Sequence, residues 1–124
     1  MRPIGVRLEG GGPGLTTYFV SRHVGAVDWL RQKGLSVDKV VAHLDPESAA
    51  DGDLVLGTLP VNLAADVCER GCRYMHLSLE VPAERRGTEL TAADMDLFGA
   101  RLEEYVVSRA EKERPGVVVF PQAG

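Results

Sequence analysis

The segment Ser21-Arg22-His23-Val24-Gly25 carries the densest group of chemically active side chains in the chain. An arginine fork matches a phosphate group with two hydrogen bonds, while a hydroxyl and the open amides of a helix start add further donors. Glycine lets a ligand approach the backbone closely, and His23 can move a proton because histidine changes charge near neutral pH. The segment therefore predicts an anion site with a proton-transfer group. The alternative is that Ser21 only caps a helix, with Arg22 and His23 solvated on the surface.

Two later segments carry polar groups that could join this site. His43 and Asp45 stand two residues apart, so on an extended strand they point to the same side, although Asp45 before proline is also an ordinary turn residue. Thr58 and Asn62 offer a hydroxyl and a carboxamide at the start of a helix, where they could hold phosphate, ribose or base edges or simply cap the helix. Both segments thus offer groups that could hold a ligand, and the turn or capping role stays open for each.

Arg85 and Arg86 lie in a segment predicted to be a loop between a strand and the last helix. Paired arginines in a loop are usually solvated, but loops are also where functional charges concentrate. A solvated surface is therefore the expected role of this pair, and a contribution to a site stays open.

These residues need a scaffold, and the apolar pattern predicts alternating strands and helices. Thr16 to Val20 is β-branched and aromatic, which is typical of a strand, and a helix containing Val27 and Leu30 follows it and ends at Gly34. The remaining predicted elements are strands at Lys39 to Leu44, Asp53 to Leu59 and Cys72 to Val81, a helix from Pro60 to Gly71, and a long last helix with the stripe Met95, Phe98, Leu102, Tyr105 and Val106.

This order of elements predicts one α/β domain with a mainly parallel sheet flanked by helices. In such a sheet ligands bind beyond the carboxyl ends of the strands, so the loops after the first three strands should share one rim. We expect the strand from Cys72 to Val81 to be half-exposed, because its apolar residues alternate with polar ones, and Trp29 to belong to a core or interface. The predicted boundaries are a lead-in over residues 1–14, the domain over 15–113 and a tail over 114–124, whose Val-Val-Val-Phe run could add an edge strand or meet a partner.

Composition limits the kinds of ligand. A chain of 124 residues with 18 acidic and 14 basic side chains has a net charge of -4, which argues against binding long nucleic acid or a membrane surface broadly. Cys68 and Cys72 are too few for a disulfide framework and have the wrong spacing for a zinc knuckle, so we predict two small apolar residues at a helix end in a reducing, cytoplasmic setting. We expect no membrane span, no metal and no cofactor.

The same segments resemble a small accessory family of type III CRISPR systems, whose members are proposed ring nucleases for cyclic oligoadenylates. The resemblance covers residues 16–107 and rests on Thr17-Tyr18-Phe19-Val20-Ser21-Arg22-His23-Val24-Gly25-Ala26, Val41-Ala42-His43-Leu44-Asp45, Gly57-Thr58-Leu59-Pro60 with Asn62, Tyr74-Met75-His76-Leu77-Ser78-Leu79 and Glu103-Glu104.

This resemblance implies a Rossmann-like (CARF-like) fold, a homodimer and cyclic tetra-adenylate as the ligand. The chemistry of the residues then suggests Arg22 on the scissile phosphate, Ser21 and the amides near Gly25 in support, and His23 as the proton carrier. His43, Asp45, Thr58 and Asn62 would position adenine and ribose, while Arg85 or Arg86 would cover the ring.

Three other functions remain open from the sequence. The same pocket could sequester or sense the cyclic nucleotide without cleaving it. Arg22-His23 before Gly25 also resembles the Arg-His-Gly loop of histidine phosphatases, in which histidine is the nucleophile, although Val24 interrupts that triplet. The third is a toxin-antitoxin or effector partner that uses the face formed by Tyr74, His76 and Ser78 for contact.

Overall fold

Short strands and helices alternate along residues 15–110, the part of the chain that the computed structural model describes. The elements are β1 (Thr17–Val20), α1 (Val24–Gln32), β2 (Lys39–Val41), β3 (Leu54–Gly57), α2 (Val61–Glu69), β4 (Arg73–Ser78), α3 (Ala92–Leu97) and β5 (Arg101–Tyr105), with short 3-10 turns at Pro46–Ser48 and Ala83–Arg85. The predicted lead-in over residues 1–14 and tail over 114–124 lie outside the described residues.

The five strands form one sheet in the order β2-β1-β3-β4-β5. The pairs β1–β2, β1–β3 and β3–β4 are parallel, and only β4–β5 is antiparallel, which confirms the predicted α/β domain with a mainly parallel sheet. The arrangement is consistent with a Rossmann-like fold. Val20 is in register with both Val41 and Gly57, so the first three strands end level at one edge.

Helices cover both faces of this sheet. Phe19, Leu56 and Met75 pack with α1 and α3 on one face, and Val55 and Tyr74 pack with α2 on the other. β4 is therefore buried on both faces along Tyr74 and Met75, and the prediction of a half-exposed strand was wrong for this part. The alternating pattern misled because Tyr74 is an aromatic residue with a polar tip, and its ring packs in the core.

Trp29 lies in the core, as predicted. Its side chain is 2% exposed, and its indole N–H donates to Asp96 Oδ1 at 2.9 Å, which ties α1 to α3. Cys68 and Cys72 flank the end of α2, also as predicted, and burial raises the pKa of the Cys72 thiol.

The long last helix was the main error of the sequence-based prediction. α3 ends at Leu97, Gly99 adopts a φ of +74°, and the chain reverses into β5. The spacing of the apolar residues fits a helix, but Leu102 is buried as a strand residue opposite Leu77. Pairing with β5 satisfies backbone groups of β4 that would otherwise lack partners, and the Arg73–Glu104 pair, with bonds of 3.0 and 2.9 Å, supports it from the exposed side.

Candidate functional site

A cleft of about 620 Å³ opens at the edge where β1, β2 and β3 end. The chain leaves β1 toward β2 on one side and then returns to β3 on the other, so this edge contains the point at which the strand order reverses. Such a point is the usual ligand position in open α/β sheets. The cleft is lined by Val20, Ser21, Arg22, His23, Ala26, Ala42, His43, Leu44, Thr58, Leu59, Pro60, Leu63, Leu77, Leu79, Thr88, Leu90 and Met95.

The ionisable side chains that line this cleft are Arg22, His23 and His43. Within the described part of the chain, no carboxylate lines it, although the protein as a whole is acidic. The nearest acidic group to His23 is Glu89, whose Oε2 lies 3.9 Å from Nδ1, and both side chains are largely exposed. The cleft thus combines cationic and neutral polar groups and is suited to an anion.

Two helices begin at this cleft. α1 follows His23 and α2 follows Pro60; neither has a side-chain cap or an acidic residue in its first turn. By contrast, α3 begins with a capping box formed by Thr91 and Asp94. The first amides of α1 and α2, together with the positive ends of their dipoles, therefore favour negative charge at the cleft.

Ser21 does not cap α1, because the N-cap position belongs to His23. The Ser21 hydroxyl oxygen instead accepts the His23 N–H at 3.1 Å, which holds the loop in a tight turn. The hydroxyl proton remains available to donate into the cleft.

The turn Gly57-Thr58-Leu59 forms the opposite rim and is fixed to β4. Gly57 has a φ of +147°, and a Cβ there would lie 2.6 Å from the Val20 carbonyl oxygen, so the turn needs glycine. The Thr58 hydroxyl donates to the Leu77 carbonyl at 3.0 Å, and the Leu59 N–H donates to the Tyr74 hydroxyl at 2.9 Å. The Thr58 hydroxyl therefore faces a ligand chiefly as an acceptor.

The remaining wall of the cleft is apolar. Leu77 and Leu79 of the β4 segment, with Leu90 and Met95, form it on the side of α1 and α3. A ligand with both an anionic and an apolar part would fit this division.

Five of the residues predicted for the site therefore meet in the cleft, namely Ser21, Arg22, His23, His43 and Thr58. The roles assigned to them stay predictions.

The other predicted residues lie elsewhere. Asp45 caps the Pro46–Ser48 turn by accepting the Glu47 N–H at 3.0 Å, and Asn62 is exposed in the first turn of α2, outside the cleft lining. Gly25 is buried because α1 packs there against the backbone of Leu90.

The two loop arginines are engaged with their own segment. Arg85 pairs with Asp94 at 2.9 Å and stacks near Phe98, while Arg86 Nε donates to the Val81 carbonyl at 3.4 Å. Neither lines the cleft in this structure.

Sequence reasoning missed Tyr74 as a support for the site. Its hydroxyl lies at the Gly57–Leu59 turn and against His76, and burial raises its pKa, so the phenol keeps its proton. The signal was present: a tyrosine in a core strand needs a partner for its hydroxyl. Leu90 and Met95 were also missed, because they reach the cleft only through the tertiary fold.

Residues 18–108 match the sequence profile of a family described as CRISPR-associated protein (Cas_VVA1548). The chain belongs to this family. The match covers the whole sheet except the first residue of β1, together with every residue that lines the cleft. No curated protein and no solved structure matches the chain.

Among residues 15–110, no group of three or more His, Cys, Asp or Glu side chains could hold a metal ion. Over the same residues, no helix has the length and apolar character needed to cross a membrane.

Proposed function

We propose that this CRISPR-associated protein is a ring nuclease that cleaves cyclic tetra-adenylate and thereby ends type III antiviral signalling. The observation that supports the proposal most is the cleft at the strand-order reversal, which is lined by Arg22, His23 and His43 and by no carboxylate of the described chain. A phosphodiester ring is the kind of anion that such a cleft would select.

The proposed reaction uses a nucleophile within the substrate. A ribose 2′-oxygen attacks the adjacent phosphorus, the bond from phosphorus to the 5′-oxygen breaks, and a 2′,3′-cyclic phosphate forms. The 2′-hydroxyl loses a proton and the 5′-oxygen gains one, so the products are linear and no co-reactant is consumed. In-line alignment and charge stabilisation on the phosphate are the main tasks left to the protein.

The cleft residues divide these tasks. Arg22 binds the phosphate oxygens, and the Ser21 hydroxyl and the first amides of α1 support it. His23 carries the proton, because it is the imidazole next to Arg22 in the chain. His43 and Thr58, on the neighbouring loops, position the sugar and base.

A homodimer would enclose the ring better than one subunit. A cleft of about 620 Å³ holds a drug-sized ligand, whereas four linked nucleotides are much larger. Val24 and Val61, the first residues of α1 and α2, are 71% and 72% exposed beside the cleft. We propose that these apolar residues meet a second copy across a two-fold axis, with one cleft from each subunit facing the ring.

A binding protein that sequesters the ring without cleaving it is the second candidate. It is favoured by the exposed setting of His23, for which the nearest carboxylate, at 3.9 Å, is too far to hold the imidazole in one orientation. A general acid or base usually has such an orienting partner.

Incubation with labelled cyclic tetra-adenylate and cyclic hexa-adenylate separates these candidates. Cleavage gives linear products that end in a 2′,3′-cyclic phosphate, and activity that persists in EDTA supports the internal nucleophile. Tight binding with an intact ring supports the second candidate. Rings of both sizes that are neither bound nor cleaved would overturn both.

A further inference from the structure

The hydroxyl of Tyr74 joins the cleft to a histidine outside it. Tyr74 Oη accepts the Leu59 N–H at 2.9 Å and lies 3.3 Å from the Gly57 carbonyl oxygen and 2.6 Å from His76 Nδ1. Gly57 and Leu59 bound the turn that forms one rim of the cleft, whereas His76 does not line the cleft and is half-buried on β4.

Tyr74 has one proton and two acceptors competing for it. A phenol donates one hydrogen bond, so it can serve the Gly57 carbonyl or an unprotonated His76 Nδ1, but not both fully. The distance from Tyr74 Oη to His76 Nδ1 is 0.7 Å shorter than the 3.3 Å from Oη to the Gly57 carbonyl oxygen. When His76 is neutral, the tyrosine hydroxyl therefore donates its hydrogen bond to Nδ1. In that state the Gly57 carbonyl has the weaker bond.

Protonation of His76 reverses this arrangement. The imidazolium donates from Nδ1 to Tyr74 Oη, because both of its ring nitrogens carry protons. The tyrosine proton is then free to donate to the Gly57 carbonyl, and Tyr74 Oη accepts from both His76 and Leu59. The charge on His76 thus changes the hydrogen bonds at both ends of the Gly57–Leu59 turn.

The groups that face His76 come from both strands of the β4–β5 pair. Tyr105 packs edge-on against its ring at 5.7 Å, and Glu103 is its direct partner in the register. Glu103 is held by the Ser78 hydroxyl and lies 3.6 Å from Arg101, contacts that lower the pKa of Glu103 and keep it ionised. On the α2 side, Cys68 is the ionisable neighbour of Tyr74.

We infer that His76 is a positioning residue of the cleft, which acts through the single hydroxyl proton of Tyr74 to set the geometry of the Gly57–Leu59 turn. Its effect on ring cleavage rests on the proposed function, but the coupling between His76 and the turn does not.

Nuclear magnetic resonance of the ligand-free protein tests the coupling directly. Between pH 5 and 8, we expect the Leu59 amide resonance to move with the same midpoint as the His76 ring protons. In Tyr74→Phe the Leu59 amide should no longer move, although the His76 ring protons still do; in His76→Gln the Leu59 movement should be absent, and in His43→Gln it should persist.

Either of two results would overturn the inference. One is a Leu59 amide that does not follow His76 in the unsubstituted protein. The other is a Leu59 amide that still follows it in Tyr74→Phe, since a charge effect through space would then explain the movement.

A second measurement follows the consequence for the reaction. The pH profile of cyclic tetra-adenylate cleavage should lose one limb in His76→Gln; an unaltered profile would contradict the positioning role. If the ring is neither bound nor cleaved by any variant, the proposed function fails, and the resonance experiment still decides the coupling.

Discussion

At the scale of single residues, Arg22 contributes the permanent charge of the cleft. Histidines change charge near neutral pH, whereas arginines are effectively always protonated in proteins. Arg22 is exposed and lies on the loop between β1 and α1, so its side chain can reach a ligand without being drawn from the core. Anion binding should therefore depend on it more than stability does.

Arg22→Ala should weaken binding of cyclic tetra-adenylate by about 10- to 100-fold, the range expected for losing one or two charge-assisted hydrogen bonds. The melting temperature should stay unchanged, because the side chain is exposed. Arg31→Ala, an exposed arginine in the last turn of α1, is the matched control and should leave binding intact. Equal losses in both variants would mean that Arg22 contributes only to the net charge.

The sequence correctly indicated the cleft residues that come directly after a strand, whereas Asp45 and Asn62, farther along the chain from the strand ends, lie outside the cleft lining. Ser21, Arg22, His23, His43 and Thr58 follow parallel strands, and that is enough to place them at one edge. Arg85 could not be assigned in this way, because its partner Asp94 is chosen by the packing of the loop on α3. A residue type shows what a side chain can bind, but not which of several acceptors will be nearest.

At the scale of elements, the position of α1 is set by a close contact at Gly25. A Cβ at Gly25 would clash with the Leu90 carbonyl oxygen, and that neighbour is backbone and cannot rotate away. Only glycine at position 25 therefore lets α1 approach the segment before α3 this closely. This close approach places the N-terminus of α1 at the cleft.

Gly25→Ala should destabilise the protein by about 1–3 kcal/mol or more, as overpacking does, and should weaken ring binding because α1 must move. Gly34→Ala is the comparison: no atom lies within 4 Å of a Cβ there, although φ is +75°. It should cost about 1–2 kcal/mol from backbone strain alone and leave ring binding unchanged. Denaturant unfolding and ring titration measure both effects, and a Gly34→Ala variant that binds as poorly as Gly25→Ala would refute the explanation.

Asp96 links α1 and α3 by a charge as well as by hydrogen bonds. Lys33 Nζ lies 2.9 Å from Asp96 Oδ1, and the Trp29 indole donates to the same oxygen; both contacts lower the pKa of Asp96. The pKa of an aspartate carboxyl in the unfolded chain is about 4. A carboxyl whose pKa is lower in the folded state stabilises the fold at pH values above that unfolded pKa. This contribution is lost as the pH falls through the lowered value.

Asp96→Asn should therefore reduce the free energy of unfolding at pH 7 and have a smaller effect near pH 2.5. The amide oxygen can still accept from Trp29, so the difference between the two pH values isolates the charge. Urea unfolding followed by the fluorescence of Trp29, the single tryptophan, measures it. Asp28→Asn, which removes a half-exposed partner of Arg31 at 3.7 Å, is the control. An equal effect of Asp96→Asn at both pH values would exclude the ionic contribution.

The pattern of elements was predictable up to Leu97 and not beyond. β-branched runs separated by amphipathic stretches indicated the parallel part of the sheet, because continuous apolar runs are typical of parallel strands. The residues from Met95 to Val106 have a spacing that fits a helix as well as a turn and strand. Pairing with β4 decided the outcome, and a single sequence does not display that long-range hydrogen bonding.

At the scale of the whole molecule, the charge of the surface and the charge of the cleft have opposite signs. The net charge of -4 repels long polyanions, whereas a small ring can reach the cationic cleft. Two facing clefts would double the cationic groups around the ring, and the ring would then stabilise the dimer by mass action.

Val61→Glu should raise the dissociation constant of the proposed dimer by about tenfold or more, because it places a carboxylate in an apolar contact beside an anion. Light scattering over a range of protein concentrations, with and without cyclic tetra-adenylate, measures the mass. Val106→Glu is the control: Val106 is 86% exposed but lies past β5, at the edge away from the cleft. A monomer at all concentrations with ring present would remove the dimer from the proposal.

The antiparallel direction of β5 has a practical consequence for handling the protein. β1 starts, and β5 finishes, at the edge of the sheet opposite the cleft, where Arg109 pairs with Asp66 and Glu69 near the end of α2. Leu15 and Ala110 therefore both lie remote from the cleft. A fluorophore, an affinity handle or a surface linkage introduced at either position would leave the mouth of the cleft open, so immobilised protein can be titrated with ring.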